Sequence, residues 1–230
     1  MTTRFVHLRL HTEFSLVDGF IRIKSLIDAV VDRGMAAVAV TDQSNMCSLI
    51  RFYQSAHRAG IKPICGCDVW LENSDDPTGS PTRLTLLCMN EQGYRNLMEL
   101  VSQSFQTNQH HGKALVKRHW IFDKSEGLIA LSGASQGEIG QKLLTGHSDE
   151  AESLLEEWQT ALGDRFYLEL QRTGRPGDEN YLHAAVELAS RCPCAVVATN
   201  EVMFMDRDDF DAHEARFCIG EGRVCLLYHI

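Results

Sequence analysis

Apolar residues recur along this chain in two alternating rhythms. Between residues 21 and 33, Ile23, Leu26, Ile27 and Val30 fall three and four positions apart, which is one face of an α-helix, and Gly34 supplies a stop. Residues 5–10 read as a first strand, followed by a turn at Asp18-Gly19. Residues 37–41 then read as a short buried strand, 49–59 as a helix closed by Gly60, and 62–71 as a third strand. Further strands are predicted at 83–88, 128–132, 166–171 and 195–198, with helices near 91–105, 149–162 and 179–191. Seven strands interleaved with helices predict an α/β fold, either a closed or nearly closed βα barrel or a doubly wound open sheet, because periodicity does not report closure.

Two polar stretches interrupt this rhythm. Residues 72–82 carry Asn73, Ser74, Asp75, Asp76, Pro77, Gly79 and Pro81, a turn-rich loop too short to separate domains. Residues 107–117, with His110 and His111, read as an exposed loop. The organisation expected is one domain over residues 1–222. The apolar residues 223–230 form an atypical tail, as a truncation or an altered reading frame would leave, and could either pack on the missing part of the barrel or drive self-association.

Composition narrows the class. With 230 residues and 44% hydrophobic content the chain can bury one large core, and a formal net charge of −9 opposes strong nonspecific binding to a polyanion by this segment alone. No apolar run approaches the ~20 residues of a membrane span and residues 1–9 carry no long apolar core of a signal peptide, so the expectation is a cytoplasmic protein. Its eight cysteines are then expected to be reduced. Cys47, Cys88 and Cys218 read as small buried hydrophobes. The Cys65/Cys67 and Cys192/Cys194 pairs are closer than structural zinc spacings and read as structural too.

In βα architectures chemistry gathers just past the C-terminal ends of strands, and this chain places polar residues there. His11 and Asp18 follow the first strand, Asp42 and Gln43 the second; Asp68 lies near the end of the third, and Asn200 and Glu201 follow the last. Histidines and carboxylates converging on one mouth hold divalent metals for phosphoester hydrolysis. The same residues also cap helices and form turns, and only His11 offers an imidazole at a predicted mouth. His7 falls within the first strand, His57, His183 and His213 on helices, and His147 in a turn.

Particular segments are recognisable. Residues 5–19 (FVHLRLHTEFSLVDG) resemble the opening motif of the polymerase and histidinol phosphatase (PHP) domain of bacterial DNA polymerase III alpha subunits, main replicative type. Residues 41–46 (TDQSNM) and 60–68 (GIKPICGCD) are similar to its second and third motifs. Residues 90–97, 127–133 and 198–202 continue the match in order, covering the chain to about Gly222.

The resemblance implies a distorted seven-stranded TIM-like (β/α)7 barrel whose mouth, elsewhere in the family, holds about three metals. It implies ligand or near-site positions at His11, Asp18, Asp42, Asp68 and Glu201. Five positions depart from the pattern: Arg9, Gln43, Arg83 and Met203 stand where the family has histidines, and Ala134 where it has a cysteine. Arginine offers no lone pair and alanine no ligand atom, so the expectation is a vestigial site without metal or catalysis, its arginines paired with the surviving carboxylates. The resemblance further implies a scaffold in DNA replication that contacts the polymerase thumb and palm and docks the proofreading exonuclease epsilon. DNA and the catalytic Mg2+ would be handled by palm carboxylates downstream in the parent nucleotidyltransferase. The alternative is an active phosphoesterase, a pyrophosphatase or 3′-5′ exonuclease, using Zn2+ or Mn2+ on a reduced site of His11, Asp18, Asp42 and Glu201.

Overall fold

A computed structural model describes residues 5–73, 79–222 and 224. The atypical tail other than Val224, and the centre of the 72–82 loop, lie outside the described residues. The chain divides into two compact units, Met1–Cys65 with Glu201–Ile230, and Gly66–Asn200.

In the first unit, α1 (Ile23–Asp32) buries Ile23, Leu26, Ile27 and Val30, the face that the apolar spacing predicts. Strand β1 (Ala37–Val40) is buried at every position, and α2 (Leu49–Arg58) buries Leu49, Phe52 and Ala56. β1 runs parallel to the start of β2 (Lys62–Leu71), from Ala37 opposite Lys62 to Val40 opposite Cys65. The unit closes with α8 (Phe210–Glu221).

The expected first strand is not a regular strand. The His7 carbonyl accepts from the Ala39 amide at 2.8 Å and the Leu10 carbonyl from the Thr41 amide at 2.9 Å. Three residues on one side thus span two on the other, and that mismatch breaks the ladder as a bulge does, leaving a single bridge between Leu10 and Val202.

The second unit carries the rest of the sheet. The remainder of β2 lies between β3 (Thr82–Cys88) and β5 (Lys113–Val116), and the order β4-β5-β2-β3-β6-β7-β8 continues through β4 (Gln109–His110), β6 (Leu128–Leu131), β7 (Phe166–Leu170) and β8 (Val196–Ala198). β6, β7 and β8 run parallel, linked through α5 (Glu138–Leu144), α6 (Ser148–Leu162) and α7 (Asp178–Arg191), whereas β3 pairs antiparallel with both β2 and β6. Two further helices, α3 (Glu91–Thr107) and α4 (Arg118–Asp123), connect β3 to β6. Asn90 starts α3 by accepting the Gly93 amide at 3.0 Å.

Two expectations change here. Residues 107–117 are a β4–β5 hairpin rather than an exposed loop: Ala114, Leu115 and Val116 are buried because β5 pairs with β2, and His111 and Gly112 turn the chain at φ 47° and 76°. Cys47, expected to pack as a hydrophobe, is exposed because it sits in the turn before α2 and its backbone N–H bonds the Asn45 side chain. Among the described residues no helix is long and apolar enough to cross a membrane.

Candidate functional site

Within the first unit, the loop after Leu10 folds back so that its polar side chains face inward. Gly19 makes this possible: a Cβ there would lie 1.8 Å from the Thr12 carbonyl oxygen, and the Gly19 amide bonds the Ser15 carbonyl at 2.8 Å. His11, Thr12, Ser15 and Asp18 are consequently buried. His11 Nδ1 bonds Asp18 Oδ1 at 2.9 Å, and the Ser15 hydroxyl donates to that same oxygen at 2.6 Å.

Asp42, at the exit of β1, faces this loop with both oxygens engaged. The Thr12 amide donates to Oδ1 at 2.6 Å, the Thr12 hydroxyl reaches both oxygens at 2.9 Å, and the Ser48 hydroxyl donates to Oδ2. Burial pushes the Asp42 carboxyl above the usual carboxylate range, while the Ser48 and Thr12 hydrogen bonds and the neighbouring His11 pull it back.

Arg9 and Glu201 form an ion pair with Nη2 to Oε1 at 3.3 Å, their side chains 1% and 3% exposed. Gln43 takes a different role: its backbone amide donates to Ser15 Oγ at 3.1 Å and its side chain to Ser44 Oγ at 3.2 Å, Ser44 having a φ of 53°. Met203 is half-buried and contributes its carbonyl to the Phe20 amide at 2.9 Å.

α8 fastens this loop from outside. His213 Nε2 bonds the Asp18 carbonyl at 2.9 Å, and Arg216 donates to the Glu13 and Leu16 carbonyls at 3.0 and 3.2 Å. Those are the carbonyls flanking the polar cluster, so α8 positions its backbone.

The second unit holds its own buried carboxylates. Asp68 is fully buried, accepts the Thr85 hydroxyl, and faces Arg83 Nη1 at 3.7 Å; the Arg83 guanidinium also lies 4.5 Å from the Trp70 ring centroid. Ala134 is buried at the start of a 3₁₀ turn at φ 50°, beside Gly133 at φ 78°. Glu169, which the sequence reading passed over, is fully buried on β7. It accepts from the Gly133 amide and Gln171 Nε2 at 3.0 Å each and from the Thr199 hydroxyl. Its signal was present as a lone carboxylate inside the apolar run of 166–170. The hydroxyls of Thr12, Ser15, Ser48 and Thr85 gave no comparable signal, since such residues are common in turns.

The structure thus brings together Arg9 with Glu201, His11 with Asp18, and Arg83 with Asp68. Among the described residues, no three His, Cys, Asp or Glu side chains are grouped so that they could hold a metal ion.

The family model for the PHP domain matches residues 7–173. Over 97% of its length the chain is 58% identical to DNA polymerase III subunit alpha of Pseudomonas aeruginosa, and over 95% it is 44% identical to the same subunit of Escherichia coli K12. It spans 19% of the length of each of these relatives. Among solved structures it resembles a candidate metal-dependent phosphoesterase from Bifidobacterium adolescentis, with a TM-score of 0.58 at 13% identity over 99% of both chains. It also resembles an amidohydrolase from Chromobacterium violaceum, with a TM-score of 0.55 at 13% identity, covering 92% of this chain and 96% of that one. At that identity these two likenesses speak to the fold.

Proposed function

The chain belongs to the PHP domain family, and on that premise we propose that it is the N-terminal PHP domain of a cytoplasmic bacterial DNA polymerase III alpha subunit, serving DNA replication as a scaffold without hydrolytic activity of its own. The identity of 58% to such a subunit over nearly the whole chain supports the parentage. The observation that carries the loss of hydrolysis is the Arg9–Glu201 pair. Arg9 stands where the resemblance expects a metal-ligating histidine, and its guanidinium is permanently protonated and holds the carboxylate that a metal would need.

The other donors point the same way. Asp42 accepts from Thr12 and Ser48, Asp68 from Thr85 beside Arg83, and His11 Nδ1 is engaged with Asp18. These residues do not fit a metal cluster: cations and hydrogen-bond donors of the protein occupy the positions from which carboxylates would bind one. In this reading the vestigial positions Arg9, His11, Asp18, Asp42, Gln43, Glu201 and Met203 of the first unit, and Asp68, Arg83 and Ala134 of the second, each serve the structure of their own unit.

As part of such a subunit the domain would contact the polymerase thumb and palm and dock the proofreading exonuclease epsilon. Polymerisation, DNA binding and Mg2+ would belong to the parent protein.

Elemental analysis tests the loss of the metal site directly. Protein purified without chelator, exposed to Zn2+ and Mn2+ and desalted, is expected to retain less than one ion per chain. Retention of two or three ions would overturn the reading in favour of a phosphoesterase built on His11, Asp18, Asp42 and Glu201. For the docking claim, a full-length alpha subunit with an altered PHP surface is expected to lose epsilon; unchanged binding would remove it.

A further inference from the structure

The first unit contains a half-enclosed cavity of about 230 Å³ that takes no part in the polar cluster. Its walls are apolar: Leu26 and Val30 from α1, Met35 just beyond it, and Phe204 and Met205 from the segment preceding α8. Two polar groups interrupt that surface. His7 lies in the lining, and its Nδ1 is buried with no hydrogen-bond partner in the protein. Arg33 also lines it, with half its side chain in solvent.

The volume is below the ~300 Å³ at which drug-sized sites begin, so the cavity suits a group of fragment size. The walls select an apolar chain, and the half-exposed Arg33 guanidinium in the lining selects an anion. The loose contact of Arg33 with Asp206, 3.6 Å between groups 51% and 73% exposed, leaves the guanidinium able to turn. Asp206 is in any case engaged in a capping box with Asp209 ahead of α8. Burial, with a smaller contribution from the Arg33 charge, pushes the His7 imidazole below its ordinary range.

We propose that this cavity is a binding site for a short-chain monocarboxylate, its tail against Val30, Met35 and Met205 and its carboxylate on Arg33. The proposal is independent of whether the domain hydrolyses phosphoesters.

The two methionines provide the readout. The chain has seven methionines, so methyl-labelled protein titrated with hexanoate can report binding locally by NMR. Met35 and Met205 are expected to shift saturably, with hexan-1-ol producing a weaker response. Arg33→Gln, an exposed change, is expected to weaken hexanoate about 3- to 10-fold and leave hexan-1-ol unaffected, since it removes only a charge-assisted contact. Val30→Trp, which fills the cavity, is expected to abolish both responses; the remaining methionine signals report whether that variant is folded. Absence of a saturable shift at Met35 and Met205, or equal affinity for hexanoate and hexan-1-ol, would overturn the proposal. So would hexanoate binding that Arg33→Gln leaves unchanged.

Discussion

Arg9 Nη2 lies 3.3 Å from Glu201 Oε1, joining the segment before the polar loop to the residue that follows the last strand, with both side chains essentially out of water. A buried pair of this kind is costly to break and cheap to replace as a whole. Glu201→Ala is expected to cost about 3–5 kcal/mol, because it leaves the guanidinium buried without its carboxylate. The double variant Arg9→Met with Glu201→Met is expected to recover most of that loss. Urea denaturation of the two variants and the parent checks this; a double variant no more stable than Glu201→Ala would contradict it.

Glu169 accepts three donors in the second unit. Glu169→Ala strands the Gly133 amide and the Thr199 hydroxyl and leaves Gln171 Nε2 only the Thr199 oxygen, with an expected loss of about 3–5 kcal/mol. Glu169→Gln keeps one carbonyl oxygen and is expected to lose about 1–2 kcal/mol. Hydrogen exchange at the Gly133 amide should accelerate more in the alanine variant than in the glutamine one.

His7 links stability to pH. Its imidazole is held below the ordinary value by burial and by Arg33, so the unfolded chain binds a proton more readily than the folded one. The contribution of His7 to stability is therefore intact above about pH 6.5 and is lost as pH falls from there through its folded value. Relative to the parent, His7→Phe is expected to be more stable at pH 5.5 than at pH 7.5, and denaturation at the two pH values would show it. An equal difference at both would mean that His7 titrates alike in the folded and unfolded chain.

Gly19 cannot carry a side chain where it stands, since a Cβ would lie 1.8 Å from the Thr12 oxygen and 2.9 Å from Ser15 Cβ. Gly19→Ala is expected to cost about 2–4 kcal/mol through displacement of the loop. Weakened protection of the Thr12 amide, which now bonds Asp42, should accompany it.

Restoring ligand types should restore metal uptake if the positions descend from a metal site. A variant carrying Arg9→His, Gln43→His and Met203→His, all in the unit that holds His11, Asp18, Asp42 and Glu201, is expected to retain Zn2+ or Mn2+ after desalting where the parent does not. A variant that folds yet takes up no ion would count against the vestigial reading.

Much of the local structure was legible in the chain. The 3–4 spacing of Ile23, Leu26, Ile27 and Val30 reappears as the buried face of α1, and the strands at 37–41, 62–71, 83–88, 128–132, 166–171 and 195–198 all recur within a residue or two at their ends. Arg9 and Arg83 were singled out in the chain as partners for buried carboxylates, and the structure pairs them with Glu201 and Asp68. Less legible were elements with weak periodicity. α5 is too short to display an apolar face over several turns, and β4–β5 was obscured by polar residues at its turn.

By itself the sequence determined the α/β class, the run of buried faces and the identity of the charged residues in reach of the site, because these follow from side-chain chemistry at fixed spacing along one chain. Only the tertiary structure decided that β3 runs antiparallel to both its neighbours, that residues 5–10 bond β1 three against two, and that Glu169 rather than a loop residue holds Gly133 and Thr199. Those outcomes depend on which distant backbone supplies the hydrogen bonds and which distant groups exclude water. Residues 36 positions apart in the chain, such as Gly133 and Glu169, meet only when the sheet between them has formed.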